Sequence, residues 1–530
     1  MRRFAPVPGR TRSGPVVWVV PGLLTLVVTL AGIGHAQPWR DELATWSAAT
    51  RPVPDLVRMT RTIDAATGPY YLLMHGWTAL AGTSPTALRL PSALAMAVAA
   101  ALTARLGAVL VGRRAGLLAG LLFAVLPVTS RYGQEARPYA LATLLAVLAT
   151  LLLVEALRRP GRWRWAGYAA AVAALGLFHL LALTLLAAHA VVVLLVAAYG
   201  PSAAGVDPPR ADDSDDPAHR DSAATQRKPA VFAWWLVALL PAVLLVTPLA
   251  LVARGQRGRQ LDWVDPARLP DLAALPGALA QSGAVGGFVL ALAALGAARL
   301  GRRALLPAAA VLLPVLLVFA AGTVVPLWVT RYLVFTVPFA CLLAGAAPAG
   351  APRTAPARTT RAGSHITAPQ KTLRPLAAGL AVVVLAGLLG LPDQAALRRT
   401  HEWPRSSPVD YAGAAGVIGA GQRPGDTIVY APRDGWLFPD LGMAYHLGSR
   451  LPRDVLVVRD QRQGASLWAV ECDDPARCLA GVDRVWLVVT GRRADPLAAV
   501  PGAKGDALRA GYTVRQVWPR PGITVALLVR

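Results

Sequence analysis

The chain has 530 residues, 55% hydrophobic and 15% charged, with a mean hydropathy of +0.47. Those values exclude an ordinary soluble domain and place it among membrane proteins. The formal net charge of +24 raises nucleic acid as a partner, but the basic residues cluster at alternate loops between apolar runs. That is the cytoplasmic bias of membrane proteins, and no nucleic-acid-binding module accompanies it.

In chain order, Arg2, Arg3, Arg10 and Arg12 precede the first apolar run. About eleven segments are apolar enough to span a bilayer, near 16–34, 90–111, 115–130, 139–157, 166–178, 180–199, 231–252, 281–300, 304–324, 332–349 and 375–391. The first is read as a retained span, because its apolar run is long for a cleavable signal. Basic groups recur at Arg113 and Arg114, at Arg158, Arg159, Arg162 and Arg164, at Arg302 and Arg303, and from Arg353 to Arg374. With the amino terminus in the cytoplasm, this threading leaves the carboxyl-terminal part outside. Arg254, Arg257, Arg259 and Arg268 are the exception, falling on the outer face. Either the threading slips there or these arginines have an anionic partner.

The first outer loop, 35–89, is too long for a simple connector. Its DLVRMTRTI and YYLLMHGWTAL segments read as helices lying in the interface. Residues 201–229 are polar and aperiodic and read as a disordered cytoplasmic loop; 350–374 are similar but basic. From 393 to 530 the pattern changes to that of a small extracytoplasmic α/β domain, with strands at TIVYA, VLVVR, RVWLVV and ITVALLV and helices near 408–420 and 496–510. Cys472 and Cys478 are expected to form a disulfide in that compartment. Cys341 lies in a span and reads as a packing residue.

Four polar stretches fall on one side of the bilayer: WRDE at 39–42, DAATGPYYLLMHGW at 64–77, RYGQEARPYA at 131–140 and VTRYL at 329–333. Ionised groups beside hydrocarbon need water, partners or a task. Taken singly, Asp41 or Glu42 could cap a helix behind an interfacial Trp39, and the Arg and Glu of the third stretch could stabilise a tight loop. Taken together, they outline a cleft. Its candidate lining is Trp39, Tyr70, His75, Tyr132, Gln134, Glu135, Tyr139 and Tyr332.

The acid pair after the first span, the G-P-Y-Y-L-L-M-H-x-W helix, the L-R-L-P-S entry to the second span and the Q-E-A-R-P-Y-A-L at the fourth resemble glycosyltransferase family 39. This family belongs to the C-type membrane glycosyltransferases, which include protein O-mannosyltransferases and the aminoarabinose transferase of lipid A. The resemblance covers roughly 15–350, and the tail from PVDYAGAAGVIGAGQRPGDTIVY is similar to tails on bacterial mannosyltransferase-like members. It implies a polytopic helical bundle in the cell membrane that moves a sugar, mannose by family habit, from a polyprenyl-phosphate carrier to an acceptor on the outer face. The acceptor would be a protein, glycan or glycolipid hydroxyl.

By motif position Asp41 would be the general base of an inverting transfer, with Glu42 beside it. Arg131, Arg137 and Arg331 are the candidates for holding the donor phosphate, since guanidinium matches phosphate oxygens. No P-loop, zinc pattern or dinucleotide fingerprint appears, and no cofactor or metal is predicted, although carboxylates and a phosphate are compatible with a divalent ion. Two other functions fit many spans: a lipid or sugar transporter or flippase, which would carry ionisable groups at the midplane, and a non-catalytic envelope assembly factor.

Overall fold

The computed structural model describes residues 16–206, 217–349, 370–402 and 405–530. The amino-terminal arginines, residues 207–216 of the expected cytoplasmic loop, and most of the basic stretch at 350–374 lie outside these residues.

A helix occupies each of the eleven apolar segments. α1 (Val16–Leu30) leads into three helices of the first loop, α2 (Arg40–Ala49), α3 (Val53–Thr62) and α4 (Gly68–Ala81). Then follow α5 (Pro85–Leu110), α6 (Arg113–Val125), α7 (Pro127–Gly133), α8 (Tyr139–Arg158), α9 (Arg162–Phe178) and α10 (Leu185–Tyr199). The second half contributes α11 (Pro217–Gln260), α12 (Leu269–Ala280), α13 (Gly283–Leu300), α14 (Leu305–Gly322), α15 (Val337–Ala346) and α16 (Gln370–Arg399). Among the described residues six helical runs are long and apolar enough to cross a membrane, or seven if the bent pair α6 and α7 counts as one. One of the six, Gly283–Gly322, is divided into α13 and α14 by a 3-10 turn at Gly301–Ala304.

Two elements depart from the expected threading. The segment 115–130 is not a straight span, because α6 and α7 meet at 64°. Pro127 lacks the N–H that would continue the helix and pushes Leu126 into an extended conformation, with φ −70° and ψ 141°. α11 begins at Pro217, inside the stretch expected to be disordered. From there the helix runs through AHRDSAATQRK and on through Pro229 into the apolar run.

The carboxyl-terminal part is α/β, as its short β-branched runs predict. It contains α17 (Tyr411–Gly421), β1 (Thr427–Ala431), α18 (Pro439–Leu447), β2 (Arg453–Asp454), β3 (Val457–Arg459), β4 (Val470–Glu471), α19 (Pro475–Cys478), β5 (Arg484–Thr490), α20 (Gly502–Gly511), β6 (Thr513–Arg520) and β7 (Ile523–Val529). The main sheet has the order β2-β1-β5-β7-β6. β1 is parallel to β2 and β5, while β7 is antiparallel to β5 and β6. The VLVVR run is not one strand of this sheet: its end is β3, which pairs antiparallel with β4 in a separate ribbon. Cys472 and Cys478 are joined as a disulfide.

This domain is seated on the first loop. Leu43, Tyr71 and Met74 share one apolar core with Val409, Tyr411 and Phe438. Polar bonds cross the same boundary: Gln37 Nε2 donates to the Val409 carbonyl at 2.9 Å, and Arg51 Nη2 to that of Ser466 at 2.7 Å. The amphipathic helices of the loop are therefore sandwiched between the bundle and the sheet domain, which fixes the acid pair at their start.

Candidate active site

Asp41 and Glu42 lie in the first turn of α2, where consecutive side chains point about 100° apart, and the two carboxylates have different surroundings. Glu42 is 1% exposed and accepts from Arg89 Nε at 2.8 Å, Arg89 Nη2 at 2.7 Å and the Ala136 backbone N–H at 2.9 Å. Arg89 also donates to the carbonyls of Ile33 at 2.7 Å and Ala36 at 2.8 Å. Burial opposes ionisation of Glu42, but the Arg89 guanidinium overcomes it and holds the carboxyl well below its usual range. This knot ties the end of α1, α2, α5 and the loop after α7 to one point, and it occupies the lone pairs a proton acceptor would need.

Asp41 faces the other way. Its Oδ2 lies 3.7 Å from Arg331 Nη2 and its Oδ1 3.9 Å from Arg40 Nε. Among the described residues Oδ2 has no hydrogen-bond partner. Burial raises its pKa, yet Arg331, Arg137, Arg40 and Arg131 together outweigh that and lower it, so the carboxylate is ionised at neutral pH.

The expected arginines separate into two groups. Arg331, on the 3-10 turn Thr330–Thr336, donates to Tyr139 Oη at 3.0 Å and lies 5.1 Å from the ring centre of Trp263. Arg137 donates to Tyr71 Oη at 3.2 Å. Tyr71 in turn donates to Asp64, which also accepts from Thr67 Oγ1 at 2.7 Å and Gln260 Nε2 at 3.1 Å. Arg131 is instead turned back into the protein, 3.2 Å from Glu135 and over the Trp39 ring at 4.9 Å.

A cavity of about 330 Å³ opens beside these groups, lined by Arg137, Tyr139, Tyr332, Asp64 and His179 and by the last turns of α11, which contribute Arg254, Gln256, Arg257 and Gln260. Apolar walls come from Phe178, Leu180, Leu181, Ala250 and Leu327. The structure thus brings Asp41, Arg137, Arg331, Tyr139 and Tyr332 to one place. Tyr132 packs edge-on against Tyr139, 5.4 Å between ring centres. Gln134 serves as a strut, donating to the carbonyls of Thr29 at 2.8 Å and Ala31 at 2.7 Å. Tyr70 is buried in the core shared with the outer domain. His75 does not line the cavity: its Nδ1 lies 2.9 Å from the Ala49 carbonyl, pinning α4 to the end of α2.

Five further residues near the site were not named as site residues from the sequence. Asp64 orients Tyr71 and Gln260 from a left-handed backbone position, φ 59°. His401 Nδ1 lies 4.0 Å from Glu42 Oε2, and the neighbouring Glu402 is pushed up to about 7 by burial. Arg254 and Arg257 were visible only as violations of the loop-charge pattern. Among the described residues no group of three or more His, Cys, Asp and Glu could hold a metal ion.

Glu135 supplies a pH signature. Burial, joined by the charges of Asp41 and Glu42, outweighs Arg131 and raises it from 4.5 to about 7. The folded state therefore binds a proton that the unfolded state releases, and stability falls as pH rises from about 4.5 to about 7. Thermal melts at pH 5 and pH 8 should show Glu135→Gln reducing this loss by roughly 3 kcal/mol; an unchanged pH dependence would contradict the assignment.

The family described as dolichyl-phosphate-mannose-protein mannosyltransferase matches residues 68–203. No curated protein matches the chain in sequence. Among solved structures, ArnT from Cupriavidus metallidurans in the apo state superposes with a TM-score of 0.55 at 13% identity, covering 97% of this chain and 98% of that one. The same protein bound to undecaprenyl phosphate gives 0.55 and 13%, with 98% of each chain covered. The oligosaccharyltransferase of Archaeoglobus fulgidus gives 0.48 and 12%, covering 97% of this chain and 74% of that one.

Proposed function

The chain has the fold of the C-type membrane glycosyltransferases, and from that premise we propose that it moves a sugar from a polyprenyl-phosphate carrier to an acceptor hydroxyl, with inversion and with Asp41 as general base. The observation that carries this reading is the ionised Asp41 carboxylate, its Oδ2 without a hydrogen-bond partner among the described residues and 3.7 Å from Arg331, beside a cavity lined by Arg137, Arg254 and Arg257. Asp41 takes the proton of the acceptor hydroxyl as its oxygen bonds to the anomeric carbon. The bond from that carbon to the phosphate oxygen breaks, and the electron pair leaves with the lipid phosphate. Guanidinium groups stabilise the charge that develops there.

Arg137, Arg254, Arg257 and Arg331 fill that role in preference to Arg131, which is engaged by Glu135. Glu42 holds the site together and does not act on protons, since Arg89 and the Ala136 N–H occupy it. An anionic donor also accounts for cations at 254 and 257 on a face where the loop-charge pattern disfavours them. The placement of the site on the outer face rests on that same pattern, and mannose rests on the family likeness. Polar groups gathered at one end of the bundle support chemistry at a lipid–water boundary over passage through the midplane.

The test is turnover by the purified protein in proteoliposomes with labelled polyprenyl-phosphate sugars and crude envelope acceptors. Lipid-linked label should be consumed and appear in acceptor. Movement of the lipid across the bilayer without transfer would replace this reading with a flippase. Arg254→Gln and Arg257→Gln should each raise KM for the donor about tenfold, the loss of one charge-assisted hydrogen bond to phosphate. Unchanged donor KM in both would move the phosphate elsewhere.

A further inference from the structure

A second cavity, of about 280 Å³, lies in the sheet domain, lined by Pro432, Arg433, Asp434, Glu471, Pro501 and Lys504. Its place in the topology is specific. The chain leaves the carboxyl end of β1 towards β2 on one side of the sheet, whereas β5, parallel to β1 on the other side, leads on towards α20 and the strands β6 and β7. Connections that depart in opposite directions from adjacent parallel strands open a crevice outside their carboxyl ends, the usual ligand position in open α/β sheets. Residues 432–434 follow β1, and Pro501 and Lys504 stand at the start of α20, so the cavity is that crevice.

Its chemistry narrows the ligand. Arg433, only 6% exposed, pairs with Glu471 at 2.9 Å, with Asp440 at 3.4 Å and with Asp454. Lys504 Nζ donates to Glu471 Oε2 at 2.6 Å and to the Tyr430 carbonyl at 2.8 Å. Among the described residues that line the cavity, both cations, Arg433 and Lys504, are already engaged by carboxylates and Asp434 stands on the rim, which disfavours phosphates and acidic sugars. Fixed donors and acceptors alternate within a few ångströms, an arrangement that suits vicinal hydroxyls, each of which donates once and accepts twice. The volume accommodates one or two pyranose rings.

We infer that this crevice binds a neutral saccharide, separately from the reaction site. The loop that forms it also touches the end of α11: Arg259 Nη2 donates to the Asp434 carbonyl at 2.5 Å and Trp436 Nε1 to Asp262 at 3.0 Å. A glycan held here is linked through this loop to the helix that carries Arg254 and Arg257, and it offers the outer domain a role in recruiting a glycan acceptor. The binding itself does not depend on the proposed transfer.

The experiment is saturation-transfer NMR on the full chain in nanodiscs, with methyl α-mannopyranoside and methyl β-glucopyranoside as neutral probes and mannose 6-phosphate as the anionic control. Saturable binding of at least one neutral glycoside is expected, weakened tenfold or more by Glu471→Gln and by Lys504→Met, unchanged by Asp41→Asn, and tenfold weaker for the phosphate. Should either substitution lower the melting temperature, Asp434→Ala, at an exposed position, reads the same loss without disturbing the Arg433 cluster. Absence of saturable binding by both glycosides, insensitivity to the crevice variants, or preference for the phosphate would each overturn the inference. Loss of transfer activity with glycoside binding intact would instead count against the proposed reaction alone.

Discussion

Asp41→Asn should lower kcat for sugar transfer roughly 10²- to 10⁴-fold, the range for losing a positioned general base, while the protein keeps its fold and its donor affinity. Asparagine matches aspartate in shape, so the packing of α2 survives. What disappears is the negative charge that four arginines stabilise and the capacity of Oδ2 to accept a proton. Removing an anion from a cationic pocket also leaves Arg331 freer to engage phosphate, so donor KM should stay level or fall. Single-turnover measurements with labelled donor separate the two effects. A variant that transferred at the wild-type rate would remove Asp41 from the chemistry, and one that lost donor binding along with turnover would make it a binding group.

The second large effect concerns stability. Arg89→Met leaves the Glu42 carboxylate 1% exposed with its principal counter-charge gone, and breaking one side of such a pair costs about 3–5 kcal/mol. Because Arg89 also satisfies the carbonyls of Ile33 and Ala36, the melting temperature in detergent should drop steeply and turnover with it. The paired change Arg89→Met with Glu42→Leu should regain much of the loss, since two apolar groups leave no buried charge. Glu42→Gln should destabilise less than Arg89→Met, as the amide still accepts one hydrogen bond. If Glu42→Gln melted like the wild type yet failed to turn over, Glu42 would have a part in the reaction that its bonds to Arg89 argue against.

Much of this architecture is legible in the sequence, for identifiable reasons. Hydropathy finds the bundle because each helix must satisfy its own backbone in hydrocarbon, and β-branched runs between glycines and prolines find the sheet domain. The order of the R-D-E and Q-E-A-R-P-Y motifs suggests the C-type fold that the chain has. Their meeting is physical: the Ala136 N–H binds Glu42, and Thr45 Oγ1 donates to the Ala136 carbonyl at 3.0 Å. The illegible parts depend on contacts distant in the chain or on direction. Gln260 meets Asp64 across 196 positions and His401 approaches Glu42 from behind α16, and no periodicity encodes either. Composition cannot tell that Arg131 turns inward to Glu135 while Arg137 lines the cavity, nor that His75 faces the end of α2. The break at Pro127 was visible as a residue, but its 64° consequence needed the packing of α7 against its neighbours. Arg254 and Arg257 show the most informative kind of exception, a charge placed where the threading rule disfavours it.

On the proposed reading, one cavity at the end of the bundle takes the carrier phosphate next to Asp41. A cryo-EM map of the protein in nanodiscs with bound polyprenyl phosphate tests it most directly. Phosphate density is expected in that cavity, about 3 Å from guanidinium nitrogens of Arg137, Arg254, Arg257 or Arg331, with the polyprenyl chain running along its apolar wall towards lipid. Phosphate bound at the opposite end of the helices, with the Asp41 cavity empty or filled by side chains, would contradict it.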